Sequence, residues 1–114
     1  MNTNPVRLRR LRRKGFDLQA ASRAINGREC VIVDRTNRRW GNPFVVGKHG
    51  TPDECLHGYR EYLEAAQAAN PEEFANELAK LRGKNLACWC APEQQCHVDV
   101  LLEWANKEER MELR

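Results

Sequence analysis

A chain of 114 residues has the size of one domain and is too short for two separate cores. With 41% apolar and 31% charged residues it reads as a small globular unit with much surface, and no apolar run reaches the ~20 residues of a membrane span. The net charge of +3 hides an asymmetry: residues 1–39 carry eleven basic side chains against three acidic ones, while the remainder is acidic on balance. A positive segment of this kind fits an anionic partner, a nucleotide or nucleic acid, or else a solvated flexible arm.

Residues 1–5 are expected to be disordered, and 6–110 to form the domain, leaving a short tail at 111–114. The basic N-terminus has no apolar h-region, so it does not read as a secretory signal, and the expected location is the cytoplasm, of a bacterium or of an infected host cell. The five cysteines are an odd count without an export signal. They are therefore read as core packing, metal ligands or reactive thiols rather than as a disulfide framework.

The arm Val6–Arg13 fits neither the strand nor the helix period, and Lys14-Gly15 breaks it. Residues 17–25 favour a short helix, closed by the turn dipeptide Asn26-Gly27. Cys30-Val31-Ile32-Val33 is a β-branched run that predicts a buried strand. A long connection over 34–50 follows, containing Arg38-Arg39-Trp40-Gly41-Asn42-Pro43-Phe44 and Lys48-His49-Gly50. Long structured loops in small domains either serve function or pack on the core.

Thr51-Pro52-Asp53-Glu54 is a capping box with proline at the first helical position. Leu56, Tyr59, Tyr62, Leu63 and Ala66 then share one helical face, and His57 falls on the opposite, exposed side. A second helix opens at Pro71, turns Phe74, Leu78 and Leu81 inward, and stops at Gly83. Asn85–Cys90 predicts a second strand, 91–95 a turn, and a last helix starts at Cys96 or His97 with Val98, Leu101, Leu102 and Ala105 inward. Strands alternating with helices predict an α/β domain with a short, mostly parallel sheet. The ligand crevice of such a sheet lies at the carboxyl ends of its strands.

Two stretches carry candidate chemistry. Cys88 and Cys90, two apart on a strand, face one side, and the turn returns Cys96 and His97 to the strand end. Three readings stand. Cys88, Cys90, Cys96 and His97 make a zinc site, though without the usual spacing. Alternatively the helix N-terminus binds an anion or nucleotide, with Cys96 a thiol of lowered pKa, His97 an acid, base or donor, and Asp99 orienting His97 or capping the helix. Or the cysteines simply pack. In the loop, Trp40 and Phe44 can stack a base, Gly41 allows a positive φ or a close backbone approach, Asn42 orients a polar group, and Arg38 or Arg39 pairs with phosphate. Trp40 and Phe44 serving only as core anchors is the rival reading. His49 is either a site residue or a polar loop residue.

These blocks resemble the domain of unknown function 4326 family of bacteria and their phages. The resemblance rests on Arg12–Phe16, on Arg39–Phe44 with Gly47–Thr51, and on Leu81–Pro92 with Cys96–Leu102. Two departures mark this chain: an insertion-like stretch between Phe16 and the first strand, and a turn at Glu93–Gln95 one residue longer than usual. The third block is also similar to the domain of unknown function 488 family, which implies Rossmann-like layering and a site at the strand end. The expected function is handling of a nucleotide or nucleic acid, with or without catalysis on a nucleotide or modified base. The alternatives are a non-catalytic, zinc-stabilised binding module, and an interaction protein for a host factor.

Overall fold

The computed structural model describes residues 4–107. Three short strands, β1 (Arg7–Arg9), β2 (Cys30–Ile32) and β3 (Asn85–Cys88), form one parallel sheet in the order β1-β3-β2. The strand latest in the sequence is thus central, with Leu86 opposite both Arg7 and Val31. Among the described residues four helices complete this α/β domain: α1 (Leu18–Asn26), α2 (Pro52–Ala69), α3 (Pro71–Ala79) and α4 (His97–Ala105). None of them is long and apolar enough to cross a membrane.

Local chemistry explains most boundaries. Asp17 accepts the Ala20 N–H at the start of α1, and Gly27, at φ +77°, closes it in a left-handed conformation that suits a residue without Cβ. The Thr51–Glu54 capping box starts α2, as its sequence predicts, and Asn70 ends α2 while accepting the Glu73 N–H of α3. What reads in the sequence as an insertion after Phe16 includes α1, which covers one face of the sheet: buried Ser22 and half-buried Asn26 meet the Asn85 side chain. Leu86 and Cys88 point to the other face, where Val33, Trp40, Tyr59, Leu63, Phe74, Val98 and Leu101 make the main core.

Three expectations need correcting. The undecided arm forms β1, and Arg10 extends its pairing by donating to the Cys88 carbonyl. The strand expected over 85–90 stops at Cys88, where the pairing runs out: the last pairs are Arg9 with Cys88 and Ile32 with Ala87. The second long helix ends at Ala79 rather than Gly83, and residues 80–83 turn with Leu81 buried. Of the N-terminal segment expected to be disordered, residues 1–3 lie outside the described residues, and the Asn4 carbonyl accepts the Asn26 amide at 3.0 Å. The tail at 111–114 also lies outside them.

Candidate functional site

At the carboxyl ends of the strands a cleft of about 520 Å³ opens between the 42–46 loop, the start of α2 and the 90–97 turn. Its wall includes Arg35, Asn42, Phe44, Asp53, Cys90, Glu93, Gln94, Cys96 and His97. Two separate stretches of the sequence thus meet across one cavity, in the size range of small-molecule sites.

The loop side is set by hydrogen bonds. The buried Asn42 turns its Oδ1 back to accept the Phe44 N–H at 2.9 Å. The same side chain lines the cleft. The Arg35 guanidinium donates to the carbonyls of Asn42 and Phe44 and so fixes the loop while presenting a positive charge at the cleft. Sequence reasoning missed Arg35; the adjacent candidates Arg38 and Arg39 lie elsewhere. Arg39 pairs with Glu73 of α3 at 2.8 Å, and both arginines border a separate groove of about 410 Å³ with Tyr62 and Phe74.

Trp40 is not a stacking platform either. It is buried, meets Phe74 edge-on at 5.7 Å, and its carbonyl accepts the Tyr59 hydroxyl at 2.6 Å. Gly41 neither lines the cleft nor takes a positive φ; its close approach is to the chain's own backbone, where a Cβ would stand 2.6 Å from the Asn37 carbonyl oxygen. Phe44 is half-buried against Gly58 and contributes an apolar wall to the cleft. His49 lies outside that wall; its Nδ1 accepts the Val45 N–H at 2.8 Å and pins the loop. His57 is exposed and pairs with Glu61.

On the opposite side Cys96 is the N-cap of α4, and its side chain makes no capping bond of the kind a serine or aspartate supplies. His97 is buried. Its Nε2 lies 2.6 Å from the Val33 carbonyl, and since a carbonyl only accepts, Nε2 carries the hydrogen; Nδ1 faces the Cys96 sulfur at 3.8 Å. The ring therefore ties α4 to the end of β2. Asp99 neither orients His97 nor caps α4: it is exposed and pairs with Arg7 at 3.2 Å.

The thiols Cys88, Cys90 and Cys96 converge, with all three sulfurs within 4.8 Å of one another and Cys88 and Cys96 3.3 Å apart. His97 is not part of this group, which corrects the four-ligand set. The expected activation of Cys96 is reversed as well. Its hydrogen bond to Cys88, together with burial, pushes its thiol up to about 11. The bond from Cys96 holds Cys88 below the ordinary thiol value, while burial raises Cys90. Asp34, two residues beyond β2, is desolvated by burial, but bonds from Thr36 and Arg10 more than offset this and hold its carboxyl below the usual range.

Arg7 holds the turn that carries these groups. Its guanidinium donates to the carbonyls of Ala91 at 3.1 Å, Pro92 at 2.6 Å and Gln94 at 3.0 Å. The Asp99 carboxylate is 56% exposed, so the ion pair contributes little beside these three bonds. Replacing Arg7 with methionine should cost about 2 kcal/mol and speed amide exchange across 91–95. Lysine should not rescue it, because only a planar fork serves several carbonyls at once. Equal denaturation midpoints and exchange rates for Arg7→Lys and the unsubstituted protein would refute the clamp.

A family model described as Domain of unknown function (DUF4326) matches residues 17–107. No curated protein and no solved structure matches the chain.

Proposed function

The chain belongs to the domain of unknown function 4326 family, and on that footing we propose that it handles a nucleotide, bound in the cleft between the 42–46 loop and the 90–97 turn. The observation that carries this reading is the meeting, at the carboxyl ends of parallel strands, of an α4 N-terminus without a side-chain cap and a buried Asn42 side chain that lines the same cleft. Backbone N–H groups and the positive end of the helix dipole favour an anionic group there, and the Arg35 guanidinium adds to the field. Phe44 offers a flat apolar surface for a base, and the carboxylates of Asp53 and Glu93 suit hydroxyl or amino groups. Helices on both faces of a parallel sheet support a Rossmann-like reading of the layering, in which ligands lie at this end of the sheet.

Binding takes precedence over turnover in this proposal. Cys96 and His97 remain the candidates for chemistry, but a thiol pushed up to about 11 is protonated at neutral pH, and the His97 ring is held by Val33. Asn42→Asp tests the reading, since it keeps the acceptor for Phe44 and replaces the amide donor with a negative charge. Calorimetric titration with a panel of nucleoside mono-, di- and triphosphates should give saturable binding, weakened at least about tenfold by the substitution. A panel without any binder, or equal binding by the variant, would remove the proposal.

A second reading, capture of nucleic acid, is favoured by the basic ridge leading out of β1. Arg9, Arg12, Arg13 and Lys14 are exposed there, and the guanidinium carbons of Arg10 and Arg12 lie 4.5 and 4.6 Å from the Trp89 ring centre. Affinity for a polynucleotide would then fall steeply and linearly with the logarithm of salt concentration, whereas binding of a small nucleotide falls less.

A further inference from the structure

We propose that Cys88, Cys90 and Cys96 bind a single thiophilic divalent cation, zinc or a close substitute, with three thiolate ligands and a fourth position open to the cleft. Tetrahedral zinc with Zn–S bonds of about 2.3 Å sets its sulfurs roughly 3.8 Å apart. The three sulfurs already lie within 4.8 Å of one another, and the Cys88–Cys96 pair needs to separate only slightly from 3.3 Å. The other two cysteines of the chain, Cys30 and Cys55, are buried outside this group, so the convergence is specific to the strand–turn–helix.

The scaffold supports the site from several sides. Cys88 ends β3, the central strand, Cys96 starts α4, and the Arg7 clamp fixes the turn between them. Three thiolates and a divalent ion leave one net negative charge, and the Arg7 guanidinium bound to the neighbouring Ala91 and Pro92 carbonyls is of the opposite sign. Thiolate donors select zinc-like ions over magnesium or calcium.

Among the described residues no fourth Cys, His, Asp or Glu completes the set. Cys90 and Cys96 both line the cleft, so water or an atom of a cleft ligand would take the remaining position. Three protein ligands with an open place is the arrangement of reactive rather than purely structural zinc sites. The inference rests on the sulfur geometry alone and does not depend on nucleotide binding.

The test is titration of the full-length, phosphine-reduced chain with cobalt(II) alone, without nucleotide. One equivalent should produce a near-ultraviolet thiolate-to-cobalt band and the strong visible bands of a four-coordinate ion, both removed by zinc. Cys90→Ser, at a half-buried position where serine leaves the core filled, should weaken binding roughly 100-fold or more. Cys55→Ser should leave it unchanged, and far-ultraviolet circular dichroism confirms that each variant is folded. Absence of the charge-transfer band in the reduced chain, or equal affinity of folded Cys90→Ser, would overturn the proposal.

Discussion

Alanine at position 85 is expected to destabilise the protein by about 4 kcal/mol, a large loss for the removal of one polar side chain. Asn85 is fully buried in the central strand. Its Oδ1 accepts from the Val6 N–H at 3.0 Å and the Asn26 amide at 2.8 Å, while its Nδ2 donates to Ser22 Oγ at 2.7 Å and Asn26 Oδ1 at 2.8 Å. One side chain thus joins the entry to β1, helix α1 and strand β3. Truncation leaves several of these groups without partners away from bulk water, each at a cost of about 1–3 kcal/mol, and vacates side-chain volume as well. Urea denaturation should show a large fall in midpoint with little change in slope. A loss below about 1 kcal/mol would mean that water replaces the amide and that the network is not structural.

Gly41→Ala should cost about 3 kcal/mol, near the upper end for overpacking, and lower the melting temperature by about 10 °C. The added Cβ would meet the carbonyl oxygens of Asn37 at 2.6 Å and Asp34 at 2.7 Å and the Arg35 Cα at 3.0 Å. All three are backbone atoms, and they cannot retreat freely. Asn37 N–H bonds to the Asp34 carbonyl, Gly41 N–H bonds to the Asn37 carbonyl, and Asn37 Oδ1 accepts the N–H groups of Arg39 and Trp40. Gly41 also separates buried Trp40 from the cleft residue Asn42. If the cleft binds a nucleotide, affinity should therefore fall in the folded variant too. A melting curve superimposable on that of the unsubstituted protein would show that this turn relaxes at no cost.

The parts of this molecule that are readable from sequence are those whose causes are local. The β-branched run at Cys30–Val33, which forms the strand Cys30–Ile32 but at the sheet edge with Ile32 exposed rather than buried, the Thr51–Glu54 capping box, and the Asn26-Gly27 stop each operate within a few residues. The return of Cys96 toward Cys88 follows from a short turn between a strand and a helix. The features that are not readable depend on distant partners. Arg7-Leu8-Arg9 has the composition of a solvated arm, yet it pairs with β3, and Arg7 directs its charge to carbonyls more than eighty residues away. Arg35 rather than Arg38 or Arg39 reaches the cleft because the turns at Asp34, Asn37 and Gly41 set the direction of the loop. His97 looks available in the sequence, but the residue following β2 supplies the carbonyl that takes its Nε2 hydrogen.

The strand order has a consequence for how the chain reaches this state. β1 and β2 do not pair with each other, and each finds its partner in β3, which comes last. During synthesis neither can complete its ladder until residues 85–88 have emerged. Helices α1 to α3 are able to form earlier, but sheet closure is a late event that joins both ends of the chain, with the high contact order that slows folding. Until then the basic N-terminal segment travels as an unpaired strand, and its arginines provide the charge that discourages edge-to-edge association with other chains.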